Sequence, residues 1–387
     1  MEKILIKMRG FELGGVERLV IDIINNLELK NKKIVLITEG KDNFFKNQLK
    51  KEVEIVYVKP EKVYEYLEYF DKKRKKNIFF KLAYSLTNSY KKYKFAKNIN
   101  DYIKKNKVRM FIDYTGTAMK YVSKIKVKNK VYWRHGALNE DEIKRKKKFG
   151  KYLNDYDKII LICEEMEEQF KKNFSKVAFK MKKIYNFIDE KKIDAHLVEN
   201  KELQEILSKE NYCVSVGRLS EEKDYETTIK AFKILKERGI EEKLFIIGDG
   251  DLKEKLNDII KREELDESVF LLGAKHNPYI YMKHADLFLH SSKTEGFCLV
   301  IAEAMYVGTP IITSNFKVGA YELIEKEKNG EIFEIGDYEE FANKIEKLLK
   351  DKKLRKNYVE KSKKFVERFY IEKIMNEYRN LIINLEK

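Results

Sequence analysis

The sequence predicts an α/β protein of two successive doubly wound domains, each a parallel sheet covered by helices on both faces. Three observations lead there. Short apolar, β-rich runs alternate with segments of helical period in two separate series, the pattern of parallel sheets with helical crossovers. Each series opens with a strand followed by a glycine-bearing turn and a helix. A polar stretch between Asn186 and Asn211, rich in Lys, Glu and Asp, parts the two series. A length of 387 residues suits two to three domains, and 43% apolar residues suffice for real cores.

In chain order, the first series begins with a predicted strand over Ile4 to Met8. A loop with Gly10, Gly14 and Gly15, a helix from about Val16 to Leu29 and a strand over Lys33 to Thr38 follow. Further strands are expected near Glu54 to Val58, Met110 to Asp113, Lys130 to Trp133 and Lys158 to Cys163. The second series starts with Tyr212 to Val216, then Gly217-Arg218, a helix from about Tyr225 to Glu237 and a strand over Lys243 to Ile247. Gly248 and Gly250 introduce another helix, and strands near Val269 to Leu272, Asp286 to His290 and Pro310 to Thr313 come after it. Beyond a last strand near Glu331 to Glu334 only helix is expected, including a long amphipathic segment from about Leu354 to Leu385. The domain division that follows is 1–190, a linker over 191–210, 211–352, and a helical segment 353–387 packing back toward the first domain.

The stretch EGFCLVIAE carries the most chemical information. It places Glu295 in a turn after the strand that ends His290-Ser291-Ser292, and Glu303 about one turn inside a helix starting near Leu299, roughly 6 Å along its axis. A turn and a helix start after a parallel strand form the crevice where open α/β sheets bind ligands. The amides of Gly296, Phe297, Cys298 and Leu299 would point into it, and a helix N-terminus favours a diphosphate. An ordinary strand-turn-helix with solvated glutamates fits the pair alone equally well. Gly217-Arg218 followed by Lys223 adds two cations after a strand and ahead of a helix, able to neutralise a diphosphate. The Gly14-Gly15 loop is a weaker signal, since a tight turn without ligand reads the same.

Composition excludes several classes. Cys163, Cys213 and Cys298 are dispersed without metal or disulfide spacing, as expected of reduced thiols in a cytosolic protein. The opening MEKILIKMRGFELGG lacks a signal-peptide core, and no apolar run approaches the roughly 20 residues that span a bilayer. The formal net charge is +17, and the excess is localised. Between Asp71 and Lys97 ten Lys or Arg stand against the single Asp71, and KRKKK fills Lys144 to Lys148. Within the first segment Phe79, Ala83, Leu86, Tyr90 and Tyr93 recur at helical steps. Two readings stay open: a core-facing stripe on a helix with a solvated basic side, or a helix lying on an anionic leaflet. Nucleic acid ranks last, because no nucleic-acid-binding motif accompanies the charge.

VGRLSEEKDYETTIKAF (Val216 to Phe232), FIIGDGDLKEKL (Phe245 to Leu256), ADLFLHSSKTEGFCLVIAEAMYVGTPIIT (Ala285 to Thr313) and GGVERLV (Gly14 to Val20) resemble the retaining glycosyltransferases of the GT-B fold, family 4. IYNFID (Ile184 to Asp189) looks like that family's entry into the interdomain linker. The motifs run in order over nearly the whole second domain and more sparsely over the first. The resemblance implies two Rossmann-like domains facing across a cleft, with acceptor bound by the first and nucleotide sugar by the second. It implies that Glu303 holds ribose hydroxyls, Glu295 holds donor-sugar hydroxyls, and the amides of Gly296, Phe297, Cys298 and Leu299 lie against sugar and diphosphate. Arg218 and Lys223 would stabilise the departing diphosphate, with Gly217 in the same turn. Gly15 would bring its backbone to donor or acceptor, and Ala274 and Lys275 would meet the nucleobase. His135, in Trp133-Arg134-His135-Gly136, looks like the family's active-site histidine near the donor sugar; a solvent-facing turn histidine is the bland reading. His196, His276, His284 and His290 read as structural.

The resemblance further implies retention without a protein nucleophile, the acceptor hydroxyl attacking on the face the diphosphate leaves. Asp155-x-Asp157 and Asp249-x-Asp251 superficially resemble a metal-binding acidic pair but read as turn residues, so metal-independent activity is expected, with no cofactor beyond the nucleotide sugar as co-substrate. A UDP-sugar is favoured as donor and a lipid-linked or other glycan acceptor at the inner face of the cytoplasmic membrane as partner. Lys72, Lys73, Arg74, Lys75 and Lys76 are the expected membrane contacts. A nucleotide-sugar epimerase of the same fold and a non-catalytic basic membrane adaptor are the rival readings.

Overall fold

The structure is a computed structural model that describes residues 1–10, 15–40, 48–49, 52–75, 77–325 and 327–386. Gly14 and Lys76 lie outside the described residues. The chain divides into two compact units. The first comprises Met1–Ile162, Glu167–Ile184 and Met375–Lys387, and the second Cys163–Met166 and Tyr185–Ile374.

In chain order the first unit contains β1 (Glu2–Lys7), α1 (Gly15–Asn26), β2 (Lys32–Thr38), β3 (Glu54–Tyr57), α2 (Glu61–Lys73), α3 (Ile78–Lys105) and β4 (Val108–Asp113). It continues through β5 (Asn129–Arg134), α4 (Glu140–Lys144), α5 (Lys146–Asn154), β6 (Lys158–Leu161), α6 (Glu164–Asn173), whose first residues belong to the second unit, and β7 (Met181–Lys183). Among the described residues these strands form one seven-stranded sheet in the order β3-β2-β1-β4-β5-β6-β7, all pairs parallel. Ile4, Leu5 and Ile6 are consecutive and all buried. Such unbroken apolar runs mark strands covered on both faces.

The second unit contains α7 (Glu190–Leu197), α8 (Lys201–Leu207), β8 (Tyr212–Val216), α9 (Tyr225–Glu237), β9 (Lys243–Ile247), α10 (Lys253–Arg262), β10 (Val269–Gly273), α11 (Tyr279–His284) and β11 (Leu287–His290). It continues through α12 (Leu299–Val307), β12 (Ile311–Ser314), α13 (Ala320–Leu323), β13 (Glu331–Phe333), α14 (Tyr338–Lys350) and α15 (Lys352–Val366). Its sheet, also parallel, runs β10-β9-β8-β11-β12-β13. Strand order reverses between β8 and β11, so the carboxyl ends of those two strands flank the switch point at which such sheets bind ligands. The expectation of two doubly wound parallel-sheet domains therefore holds.

Three expectations change. The stretch read as a linker over 191–210 is largely helical and belongs to the second unit: Asp189 caps α7 and Asn200 caps α8 through backbone amides at 3.1 and 3.0 Å, and Asn277 ties α7 down by donating to the His196 carbonyl at 2.6 Å. The segment 353–387 is not one helix with one destination. α15 stays with the second unit, where Tyr358 donates to Glu331 at 3.0 Å and Ser362 to the Asn329 carbonyl at 2.9 Å. A 3-10 turn over Glu367–Phe369 then breaks the helix before α16 (Ile371–Glu386). Only Met375 onward joins the first unit, where Tyr378 stacks on Trp133 at 4.5 Å and meets the Tyr114 hydroxyl at 3.2 Å. Third, of the two readings left open for the α3 stripe the core-facing one falls: Phe79 is 66% and Leu86 64% exposed, so no core lies under it.

Candidate active site

The loops after β8 and β9 approach so closely that side chains cannot fit between them. Gly248 adopts a φ of +152°, and a Cβ there would stand 1.8 Å from the Gly217 carbonyl oxygen. Glycine is required by that contact, which holds the Gly217-Arg218 turn against the sheet end. Beyond the turn, Asp224 takes a left-handed conformation at φ 50° and starts α9. Thr228 of α9 donates to Ser291 at 2.8 Å, and the Ser291 hydroxyl lies 2.9 Å from each of the Lys223 and Asp224 carbonyls. The β8 loop is thereby fastened to the end of β11, bringing Lys223 to Glu295.

The Lys223 ammonium donates to Glu295 Oε1 at 2.6 Å, and His290 Nε2 lies 3.2 Å from the same oxygen. The Cys298 thiol is 3.2 Å from His290 Nε2. Burial alone would raise the Glu295 pKa, but the His290 hydrogen bond and the Lys223 charge hold it far below the usual carboxylate range. Burial likewise opposes the Lys223 charge, yet the Glu295 carboxylate overrides it and holds the ammonium above its ordinary value. His290 is depressed by burial, against the pull of Glu295, so it is neutral at neutral pH. Glu295 is ionised and accepts only, which requires the proton on Nε2. Burial pushes the Cys298 thiol up, and the Glu295 charge adds to that; it is a packing neighbour, not a thiolate. His290, Glu295 and Cys298 each offer a ligand atom within 4.8 Å of the others, but the paired Lys223 cation sits against the central carboxylate and repels a second cation there.

Both strong contacts fall on one carboxylate oxygen. Glu295 Oε2 accepts no hydrogen bond among the described residues, and Lys223 retains two of its three N–H donors. The cluster therefore offers one anionic acceptor and two cationic donors, their positions fixed by a pair that needs no rearrangement.

α12 begins at Leu299, with Cys298 at its N-cap and no side-chain cap bond. Phe297 turns its ring into the core, 4.9 Å from Phe369, which leaves its backbone as the part available to a ligand. Glu303 stands one turn inside the helix, where the buried Tyr279 donates to its Oε1 at 3.0 Å. Arg218 is exposed at the end of β8. Ala274 and Lys275 are exposed after β10, the edge strand two places from β8.

His135 and Gly15 belong to the first unit. His135 follows β5 in a turn held by Arg134, which donates to both Glu142 oxygens at 2.7 Å and to the Gly136 carbonyl at 2.5 Å. Its ring packs on Tyr114 at 4.5 Å. Both ring nitrogens are buried and neither makes a hydrogen bond of good geometry among the described residues. Burial takes its pKa down to about 3, against a weaker upward pull from the Tyr114 backbone. The imidazole is neutral and buried, and is not the solvent-facing turn histidine of the bland reading. Gly15 heads α1, and a Cβ there would meet nothing within 4 Å. The acidic pairs serve turns: Asp157 accepts from the Lys130 amide at 2.8 Å and Asp249 from the Gly250 amide at 2.9 Å.

The structure thus joins Lys223 to Glu295 and adds two residues that the sequence left as structural or unassigned, His290 and Tyr279. A histidine closing the strand before the Glu295 turn was the visible signal for the first; the second had none.

Residues 198–365 match the family model described as glycosyl transferases group 1. The fold matches that of the Anabaena protein HepE, solved in complex with UDP and glucose, at a TM-score of 0.76 and 20% identity over 99% of both chains. The chain is family 4-like, with the GT-B fold. Among curated relatives, a Campylobacter jejuni N-acetylgalactosamine-N,N'-diacetylbacillosaminyl-diphospho-undecaprenol 4-alpha-N-acetylgalactosaminyltransferase is 35% identical over 196 residues, 51% of this chain. The match spans about half of that relative, 52% of its length. An uncharacterized glycosyltransferase of Haemophilus influenzae is 25% identical over 95% of this chain and 96% of its own.

Proposed function

We propose that the protein transfers a hexose or N-acetylhexosamine from a nucleotide sugar, a UDP-sugar by preference, to a lipid-linked or other glycan acceptor in bacterial surface polysaccharide assembly. The observation that carries this reading is the Lys223–Glu295 pair at the β8/β11 switch point, with Oε2 and two ammonium donors unspent beside the amide-rich start of α12. A carboxylate oxygen there suits sugar hydroxyls, the Lys223 donors and Arg218 suit a diphosphate, and Glu303 suits vicinal ribose hydroxyls. His135 offers a neutral donor and acceptor to a sugar hydroxyl. The Campylobacter relative's name describes transfer to a diphospho-undecaprenol-linked sugar, which supports a lipid-linked acceptor, and the UDP bound to HepE supports uridine in the donor.

In this mechanism the acceptor hydroxyl attacks the anomeric carbon on the face the diphosphate leaves, and a donor phosphate oxygen takes the hydroxyl proton. The configuration is retained. Arg218 and Lys223 stabilise the charge that builds on the leaving diphosphate, the term expected to dominate the rate. Glu295 holds the sugar through its free Oε2 and is given no part as a nucleophile, in keeping with the retention without a protein nucleophile that the resemblance implies. Two cations at the diphosphate do the work of a metal, so turnover is expected to persist in EDTA. The protein acts at the cytoplasmic face of the membrane as a peripheral enzyme; no helix among the described residues is long and apolar enough to cross a bilayer.

The test is thermal stability against UDP-, GDP-, ADP- and TDP-sugars, beside Glu303→Ala. A ligand at a hundred times its dissociation constant stabilises by about 2.7 kcal/mol. Stabilisation by one nucleotide class, lost in the variant, is expected. Equal stabilisation of the variant, or none by any donor, would overturn the site assignment.

A further inference from the structure

The two ends of α3 live in different surroundings. Phe95, Ala96 and Ile99 near its C-terminal end are buried, whereas no residue from 78 to 94 is. Its neighbour α2 buries only Val63 and Leu67. At about 100° per residue, Ile78, Leu82, Tyr93, Leu86, Phe79 and Tyr90 fall within one arc of about 120°. That arc is wet: Ile78 is 85% and Leu82 60% exposed, and Phe79, Leu86, Tyr90 and Tyr93 are exposed with them. The opposite side of the helix meets α2, where Phe80 sits 6.2 Å from Phe70 and 6.3 Å from Tyr69. The apolar stripe thus runs for about 24 Å at 1.5 Å per residue, exposed among the described residues.

Cations border this stripe. By the same helical arithmetic Lys81 and Lys92 lie along one edge and Lys94 along the other. Lys72, Lys73, Arg74 and Lys75 are exposed where α2 turns toward α3, with Lys73 lying 4.2 Å over the Tyr69 ring and Arg74 4.3 Å over Tyr84. No acid occurs from Lys72 to Asn100. Burial, together with the charges of Lys120, Lys148, Lys91 and Lys124, holds the Lys92 ammonium below its ordinary value. The positive field therefore extends past the hairpin to the Lys144–Lys148 cluster.

Charge complementarity selects the occupant. A second copy laid on the stripe would bring cations against the same cations, and a nucleic acid would satisfy the cations while leaving six apolar side chains in water. We infer that residues 78–93 lie in the headgroup layer of an anionic membrane, with Ile78, Phe79, Leu82 and Leu86 sunk toward the acyl chains. Lys72 to Lys75, Lys81, Lys92 and Lys94 sit on the lipid phosphates. This rests on the lipid-acceptor reading above and deepens it, turning an electrostatic contact into an inserted one. Amphipathic helices in a membrane plane bind by apolar area and by charge together, and only the second is screened by salt.

The experiment is flotation with phosphatidylglycerol–phosphatidylcholine vesicles, in low salt and at about 1 M salt, where the screening length falls to ~3 Å. Wild type is expected to float in both, and Phe79→Ser/Leu82→Ser/Leu86→Ser to lose at least about tenfold in partitioning and all of its salt-resistant binding. Lys72→Gln/Lys73→Gln/Arg74→Gln/Lys75→Gln should lose mainly the low-salt gain. The mutated positions are exposed, and the thermal shift with nucleotide sugar, read without vesicles, certifies that each variant is folded and tests the donor site separately. Flotation of the triple serine variant equal to wild type would overturn the insertion while leaving the donor site standing. Capture by duplex DNA in place of vesicles would overturn it, as would a dimer that the triple variant dissolves.

Discussion

Lys223 and Glu295 meet at 2.6 Å with His290 against the same oxygen, whereas His135 keeps both ring nitrogens buried and without a hydrogen bond of good geometry among the described residues. Both regions hold polar groups away from water, where an unmet group is costly. In the second unit the cost is offset internally: each charge has a partner, so the site is electrostatically finished before any ligand arrives. In the first unit the imidazole gives up its proton instead, its pKa falling to about 3, and its hydrogen-bonding capacity is left over. In the proposed function the paired cluster supplies fixed charges for a transition state and the neutral ring a handle for a hydroxyl. The two should therefore respond to mutation and to pH in different ways.

The largest response is expected at the pair. Lys223→Ala leaves Glu295 buried without its cation, and breaking such a pair costs about 3 kcal/mol. Lys223→Met combined with Glu295→Gln removes both charges at similar volume and should recover most of that loss. Activity should not recover, since the cation proposed to face the diphosphate is gone, with kcat falling on the order of a hundredfold or more. Chemical denaturation of wild type, Lys223→Met, Glu295→Gln and the double variant measures the coupling. A double variant no more stable than Lys223→Ala would mean that the two charges do not depend on each other, and the contrast with His135 would collapse.

The next response is in pH. In the unfolded chain the His135 ring takes a proton at its ordinary value near 6.5, in the folded chain only near 3. Between those values the unfolded state binds more protons, so stability falls as pH is lowered through this window, by up to ~1 kcal/mol per unit. His290 is depressed too and contributes with the same sign. Subtracting the pH–stability curve of His135→Phe from that of wild type isolates the turn. The difference should be flat above about pH 6.5 and steepen below it. A flat difference throughout would show that the ring is hydrated in solution, and its unspent donor would no longer mark a ligand.

Much of this contrast was legible in the residues. Glu295 and Glu303 lie eight positions apart across a turn and a helix start, so their placement follows from local geometry. The Lys223–Glu295 contact joins residues 72 apart and depends on strand order, which a single sequence suggests without proving. β7 was missed because three residues, two of them lysines, carry no apolar pattern; pairing with β6 defines it. The short helices α7 and α8 follow from their Asp189 and Asn200 caps, signals that a polar stretch hides. Periodicity found the α3 stripe and could not say which way it faces, since a core and an empty surface ask for the same spacing. The return to the first unit was placed too early because the apolar pattern runs on through the break at Glu367–Phe369.

The smallest effect expected belongs to Tyr279, the least visible member of the site. Its phenol donates to Glu303 Oε1 at 3.0 Å from a position 2% exposed, which fixes that carboxylate as Lys223 and His290 fix Glu295. Tyr279→Phe keeps the ring and removes the donor, leaving Glu303 freer to rotate; one such hydrogen bond contributes about 1 kcal/mol. The loss should appear as a several-fold weaker Kd for the nucleoside diphosphate in calorimetric titration, with kcat at saturating donor almost unchanged, because in the proposed site the bond lies on the ribose side and not at the reacting carbon. The same weakening accompanied by a large drop in kcat would place Glu303 near the chemistry and set aside the division of labour between the two glutamates. Unchanged affinity, while Glu303→Ala still abolishes binding, would mean that the carboxylate is held by other neighbours and that the Tyr279 hydroxyl only satisfies its own burial.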